Sequence, residues 1–188
     1  MLVVAFKKGK AHPFYCLPMS ELTDHVIEAD DIFGCRVLDL REQLLSCKAP
    51  ENMFGLVEMF LLRQAGNALA TDIMSRCVEY AVSRMTSQPN RLGLLQLNSQ
   101  IGYSQKHFIS MFKQRVGTPP KQYMKIMRFQ KAVLEIENAD SVHWSEIALQ
   151  NGFYDQAHFI NEFRNFSGFT PGEYVRRKSG TLNYVPVQ

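Results

Sequence analysis

Apolar side chains recur every three or four residues along most of this chain, the period of a helix with one buried face. Val37, Leu38, Leu44 and Leu45 mark a first such segment between Cys35 and Cys47. Pro50 opens a second, in which Met53, Phe54, Leu56, Val57, Phe60 and Leu61 cover more than half of the circumference. A helix that apolar requires partners on two sides, inside the chain or in a second subunit. A longer helix follows Gly66-Asn67 and runs to about Met85, with Ile73, Cys77, Tyr80, Ala81 and Met85 as its expected stripe. After a loop at Gln88-Pro89-Asn90, Leu94, Leu95 and Leu97 mark a short helix closed by Gly102. Ser104 is placed to cap the next helix, which runs to about Arg115 and stops near Gly117. Pro119-Pro120 opens a helix through Tyr123, Ile126, Met127, Phe129, Val133, Leu134 and Ile136, because proline in a first helical turn loses no internal hydrogen bond. The plan then returns. Trp144, Ile147 and Ala148 share a helix, Gly152 turns, Asp155 caps, Phe159 and Phe163 face inward, and Gly168 stops the helix. Pro171-Gly172-Glu173-Tyr174 starts the last helical turn, and the tail after Lys178 is expected to fray. Strand signal is confined to residues 2–6. His12-Pro13 and Leu17-Pro18 break regular structure after it, and Ser20-Glu21-Leu22-Thr23 reads as a short helical turn. The expected fold is all-α.

The return is an internal repeat. Gln105, His107, Phe108, Ile109, Phe112, Gly117, Pro120 and Tyr123 recur as Gln156, His158, Phe159, Ile160, Phe163, Gly168, Pro171 and Tyr174, at a constant offset of 51 residues. In each copy a short helix, a glycine turn and a second helix form a helix-turn-helix unit, at about residues 92–116 and 142–167. Two units in one chain suggest a polypeptide built to read two segments of DNA.

Charge follows the repeat. Residues 1–66 hold seven Lys/Arg and nine Asp/Glu, whereas residues 67–188 hold fourteen and nine. The basic excess therefore lies where phosphate would be met. No apolar run is long enough for a spanning helix, and the apolar start precedes Lys7-Lys8 instead of following a basic stretch, the reverse of a signal peptide. Cys16, Cys35, Cys47 and Cys77 lack metal-ligand spacing and read as reduced thiols of a cytoplasmic protein. No metal or cofactor is expected.

In such a unit the second helix enters the major groove and its first turns face base edges. The outward positions are Gln105, Lys106, Ile109, Ser110 and Lys113 in the first unit, and Gln156, Ala157, Asn161 and Arg164 in the second. Gln and Asn pair with adenine, Lys and Arg with guanine, and Ile109 and Ala157 suit thymine methyls. The capping positions Ser104 and Asp155 complete the expected DNA-facing set. His107 and His158 have two readings, a phosphate or base contact, or a side chain that holds the turn. The helix from Pro120, about 27 Å long for about 18 residues, is a plausible spacer for two adjacent grooves about 34 Å apart.

The order Ile147-Ala148-Leu149, Gly152-Phe153, Asp155-Gln156, His158-Phe159, Phe163, Gly168, Thr170-Pro171 and Tyr174 resembles the AraC/XylS family of bacterial transcription regulators. The first unit is similar through Gly102-Tyr103-Ser104, His107-Phe108, Met111-Phe112-Lys113, Gly117, Pro120, Tyr123, Arg128 and Ala132. The resemblance covers roughly residues 68–178. It implies two helix-turn-helix subdomains joined by a linking helix, binding double-stranded promoter DNA to activate or repress transcription, with RNA polymerase as a further partner. Asn98 departs from the pattern, standing where the second unit has the small Ala148, and is expected to loosen the first unit. Residues 1–66 are similar only to the end of a sensor-type domain, a strand, a loop and two helices, as though the chain were a fragment. Those two helices are expected to pack on the DNA-binding part at 67–178 or to form a homodimer, and 179–188 is a tail. Two alternatives stand beside the DNA-binding regulator. One is a helical interaction module or antagonist that has lost DNA binding. The other, an alkyl-transfer enzyme, needs a zinc-binding cysteine cluster, against which the scattered cysteines argue.

Overall fold

The computed structural model describes residues 2–15, 17–66, 73–89, 93–139 and 141–178. Cys16, Asn67, Asn90 and the tail 179–188 lie outside the described residues. Among the described residues a 3-10 turn, His12–Phe14, precedes the α-helices, and no strand is formed. The helices are α1 (Met19–Leu22), α2 (Ala29–Phe33), α3 (Arg36–Ser46), α4 (Pro50–Ala65), α5 (Ile73–Ser87), α6 (Leu94–Ile101), α7 (Gln105–Val116), α8 (Pro120–Asn138), α9 (Trp144–Gln150), α10 (Gln156–Ser167) and α11 (Pro171–Lys178). None of them is long and apolar enough to cross a membrane. The chain divides into two compact units. Met1–Val82 and Ile101–Pro119 form one; Ser83–Gln100 and Pro120–Gln188 form the other.

In the first unit, the expected strand at residues 2–6 is absent. A single strand with no neighbour leaves its backbone groups unpaired. Phe6 instead enters a run of aromatic contacts, its ring centroid 5.1 Å from Phe14 and 5.7 Å from Tyr15. Tyr15 continues the run to Phe33 at 5.6 Å, and Phe33 to Phe60 of α4 at 5.5 Å. Burial in this run raises the Tyr15 pKa. The unforeseen α2 supplies Phe33 to this run and also packs on α3. No residue of α3 is buried; Leu38 and Leu45, expected in a core, are exposed. On α4 the packed side carries Val57 and Ala65, while Phe54, Met59 and Leu62 are exposed.

The buried stripe of α5 is Val78, Ala81, Val82 and Met85, and Ile73 and Tyr80 are exposed. The stripe expected from sequence shares only Ala81 and Met85 with it. Spacings of three and four fit two adjacent faces of such a helix, and only tertiary packing chooses between them. Lys10 pairs with Glu79 of α5 at 2.7 Å. Arg115 of α7 donates to Ser75 Oγ. The short α1 packs on α7. There the Thr23 hydroxyl lies 3.0 Å from the carbonyl oxygens of both Met19 and Gly117.

The second unit contains a continuous aromatic core. Phe129, Ala132 and Ile136 of α8 meet Ile147 and Ala148 of α9, Phe153 of the turn, Phe159 and Phe163 of α10, and Tyr174 of α11. Trp144, partly buried, packs against this core. Full burial of one such ring contributes about 1.5–3 kcal/mol, so two rings of α10 suffice to hold its inner face. α11 begins with a reciprocal cap. The Thr170 N–H and hydroxyl donate to Glu173 Oε2, each at 2.7 Å, and the Glu173 N–H donates back to Thr170 Oγ1 at 3.3 Å. These bonds, the hydroxyl's first, hold the Glu173 carboxyl below its usual pKa. The motif Thr170-Pro171-Gly172-Glu173 is a capping box, legible from spacing alone.

Candidate nucleic-acid interface

Two helices present polar faces to solvent, and each is started and stopped by its own sequence. At α10, Asp155 is the N-cap, and its Oδ1 accepts the His158 N–H at 2.7 Å. At α7, Ser104 Oγ accepts the His107 N–H at 3.3 Å. Both helices end on a left-handed glycine, Gly117 at φ 95° and Gly168 at φ 75°, a conformation that only glycine adopts at low cost. Both caps stand at the positions expected from sequence.

The inner face of α7 buries Phe108, Met111 and Phe112, with the two rings edge-on at 5.7 Å. Its outer face leaves Gln105, Lys106, Ile109, Ser110 and Lys113 exposed. His107 is exposed as well, its ring 5.0 Å from Tyr103. In α10 the inner rings are Phe159 and Phe163, and Gln156, Ala157, Asn161 and Arg164 are exposed. The Gln156 amide oxygen accepts the Ser145 hydroxyl at 2.9 Å, which ties the start of α10 to the start of α9.

His158 differs from its counterpart. It is half-buried, and both ring nitrogens face the protein. Nδ1 accepts the Tyr154 backbone N–H at 3.2 Å, and Nε2 lies 3.5 Å from Glu162 Oε1. The acceptor role at Nδ1 places the ring proton on Nε2, toward the carboxylate.

The turn between α9 and α10 is held from beneath. Asn151, fully buried, donates from Nδ2 to the Ile147 carbonyl at 2.9 Å and to Glu135 of α8. Arg128 of α8 donates to the Gly152 carbonyl at 3.2 Å and lies 5.4 Å from the centroid of the Phe153 ring. Sequence reasoning passed over Asn151, Ser145 and the 91% exposed Tyr154 in this turn. Their signal is proximity to Gly152, since a turn that aims a helix needs its own backbone groups tied down. Asn98, which departs from the family pattern in the first helix-turn-helix repeat, is half-buried, whereas Ala148 is fully buried.

The arrangement is a buried apolar inner face opposite a mostly polar, exposed outer face, twice. Residues 97–177 match the family model of a helix-turn-helix domain. An uncharacterised HTH-type transcriptional regulator of Staphylococcus aureus (strain MSSA476) is 31% identical over 83 residues, 44% of this chain and 11% of that protein. A second, from Haemophilus influenzae, is 30% identical over 103 residues, 54% of this chain and 34% of its own length. The chain thus spans between 11% and 34% of the length of these curated relatives. Among solved structures, the DNA-binding domain of the global transcriptional factor AdpA, crystallised with a target DNA, is similar over 58% of this chain and 100% of its own, at 22% identity and a TM-score of 0.48. A DNA-binding transcriptional dual regulator from Escherichia coli K-12 is similar over 58% of this chain and 94% of its own, at 21% identity and a TM-score of 0.45. Residues 97–177, the span that matches the helix-turn-helix domain model, contain both α7 and α10 with their caps and stop glycines.

Proposed function

We propose that this chain is a sequence-specific regulator of transcription that binds double-stranded promoter DNA, with α7 and α10 in successive major grooves. One observation carries the reading. α10 locks Phe159 and Phe163 into a core and leaves Gln156, Ala157, Asn161 and Arg164 on the open side, the division that a groove-reading helix requires. α7 repeats it with outer residues that differ from those of α10 except at Gln105, so the two helices read different bases. The cap oxygens of Ser104 and Asp155 are engaged with backbone N–H groups, so their share in DNA contact is secondary to aiming the helices. With 19 residues, α8 is about 28 Å long, a length that suits a spacer between grooves.

In this reading the chain acts by binding, not by catalysis. It works in the cytoplasm, engages RNA polymerase at the promoter, and pairs with a second copy through α3 and α4. The exposed Phe54, Met59 and Leu62 of α4 support the pairing, since large apolar side chains grouped on a short helical stretch mark association surfaces.

Selection of the purified chain on random duplex DNA at near-physiological salt tests the central claim. Enrichment of a site with two elements about one helical turn apart is the expected result. A folded protein that enriches nothing overturns the reading in favour of an interaction module.

A further inference from the structure

The two halves solve one mechanical problem with different chemistry. α10 packs on the longer α8, Arg115 of α7 donates to Ser75 of α5, and the offset of 51 residues relates α8 to α5. Val78, Ala81 and Met85 of α5 correspond to Phe129, Ala132 and Ile136 of α8, and all six are buried. Glu162 of α10 corresponds to Met111 of α7, and Lys125 and Arg128 of α8 correspond to Met74 and Cys77 of α5. Three charged side chains in one half thus stand where the other half has two methionines and a cysteine.

In the second half those charges meet. Glu162 is 7% exposed. Its Oε1 lies 2.6 Å from Lys125 Nζ and 3.5 Å from His158 Nε2, and its Oε2 is 3.6 Å from Arg128 Nη2. His158 in turn holds the Tyr154 N–H, and Arg128 holds the Gly152 carbonyl. The carboxylate therefore joins α8, the turn and the first turns of α10.

We propose that Glu162 is a positioning residue. It acts through Lys125, Arg128 and His158 to set the aim of α10, and so the base discrimination of the second half-site, while touching no DNA itself. This rests on the DNA-reading function proposed above. The charges matter because a buried carboxylate is stable only with its cations in place, and those cations come from the supporting helix and the turn. Removing the negative charge leaves Lys125, Arg128 and the His158 ring without a common partner. The first half lacks this dependence.

The test compares the full chain with E162Q and with K125M/E162M, which transplants the methionine pair of the first half. Amide hydrogen exchange without DNA reads the clamp. E162Q is expected to speed exchange at Tyr154 and the start of α10 and to leave α7 unchanged; unchanged exchange at α10 overturns the clamp. Footprinting and base-substitution titrations on the selected site read the function. E162Q is expected to lose about tenfold in discrimination at the element read by α10, the scale of one base contact. The element read by α7 and the salt slope should stay unchanged, since no phosphate contact is lost. K125M/E162M also lacks the carboxylate and leaves Arg128 and His158 without it, so it should match E162Q at α10; recovery of slow exchange and discrimination would overturn the role of the charge. Loosened exchange with intact discrimination, or an equal loss at both elements, overturns the positioning role. If the full chain selects no DNA, the regulator reading fails and the positioning role fails with it, whatever the exchange shows of the clamp.

Discussion

Tyr174 shows how one side chain carries both packing and titration. Its ring lies 5.6 Å from Phe163, and its hydroxyl donates to Glu137 Oε1 at 2.9 Å. Burial first, then the hydrogen bond and negative charge of Glu137, push the phenol up to about 12. Its ordinary value is 10.0. The folded state therefore favours the protonated phenol. This contribution to stability is fully present below pH 10 and is lost as pH rises toward about 12. Tyr174→Phe removes the titrating group along with the hydrogen bond. At neutral pH the variant should be less stable by about 1 kcal/mol, the net worth of one hydrogen bond. From pH 9 to about 11.5 it should lose stability less steeply than the parent chain, provided the transition is followed by urea unfolding at fixed ionic strength. Parallel losses in the two proteins would show that the Tyr174 phenol is not raised in the folded chain.

At the scale of elements, stops and starts are the most legible features of the chain. The bounds of α6 to α11 follow from Gly102, Ser104, Gly117, Pro120, Gly152, Asp155, Gly168 and Pro171, because each acts on its own few residues of backbone. The N-terminal elements are less legible for the complementary reason. Phe6, Phe14, Tyr15, Phe33 and Phe60 cohere through contacts between residues far apart in sequence, and no local period encodes such a run. Glu162 was missed because an acidic residue reads as solvated, although its repeat partner Met111 lies on the apolar face of α7. The two stop glycines give a test of local against tertiary control. A Cβ on Gly168 meets nothing within 4 Å, so Gly168→Ala costs only the strain of its positive φ, about 1–2 kcal/mol. A Cβ on Gly117 lies 2.6 Å from Thr23 Oγ1 and 3.1 Å from the Met19 carbonyl. Gly117→Ala should therefore cost the same strain and also displace α1 from α7. Thermal unfolding should rank Gly117→Ala below Gly168→Ala, and hydrogen exchange at Thr23 should rise in the former alone. Equal melting temperatures would mean that α1 contributes little to holding the end of α7.

At the scale of the whole molecule, the charge division bears on the DNA-binding function proposed for the chain. Residues 67–188 carry the basic excess, but only part of it belongs to the reading faces. Lys125, for instance, is committed to Glu162, whereas Lys106 and Arg164 are exposed on the outer faces of α7 and α10. Sequence separated these faces correctly from the buried ones, because helical period alone assigns a side. It left open whether each basic residue meets a base or a phosphate, since both readings need only exposure. Lys106→Ala and Arg164→Ala distinguish them. A lost base contact should cost about 1–3 kcal/mol and relax preference at one position of the site. A lost phosphate contact should weaken binding uniformly across sequences and lower the salt slope by about one. The two substitutions fall in different halves, so any relaxed position should lie in a different element of the selected site for each. Their combined effect should be close to additive, because neither residue shares a partner with the other in the contacts described. Titration of both variants and the double variant against the selected duplex, at three salt concentrations, measures all of this. Unchanged affinity and salt slope in both single variants would show that α7 and α10 do not present these faces to DNA.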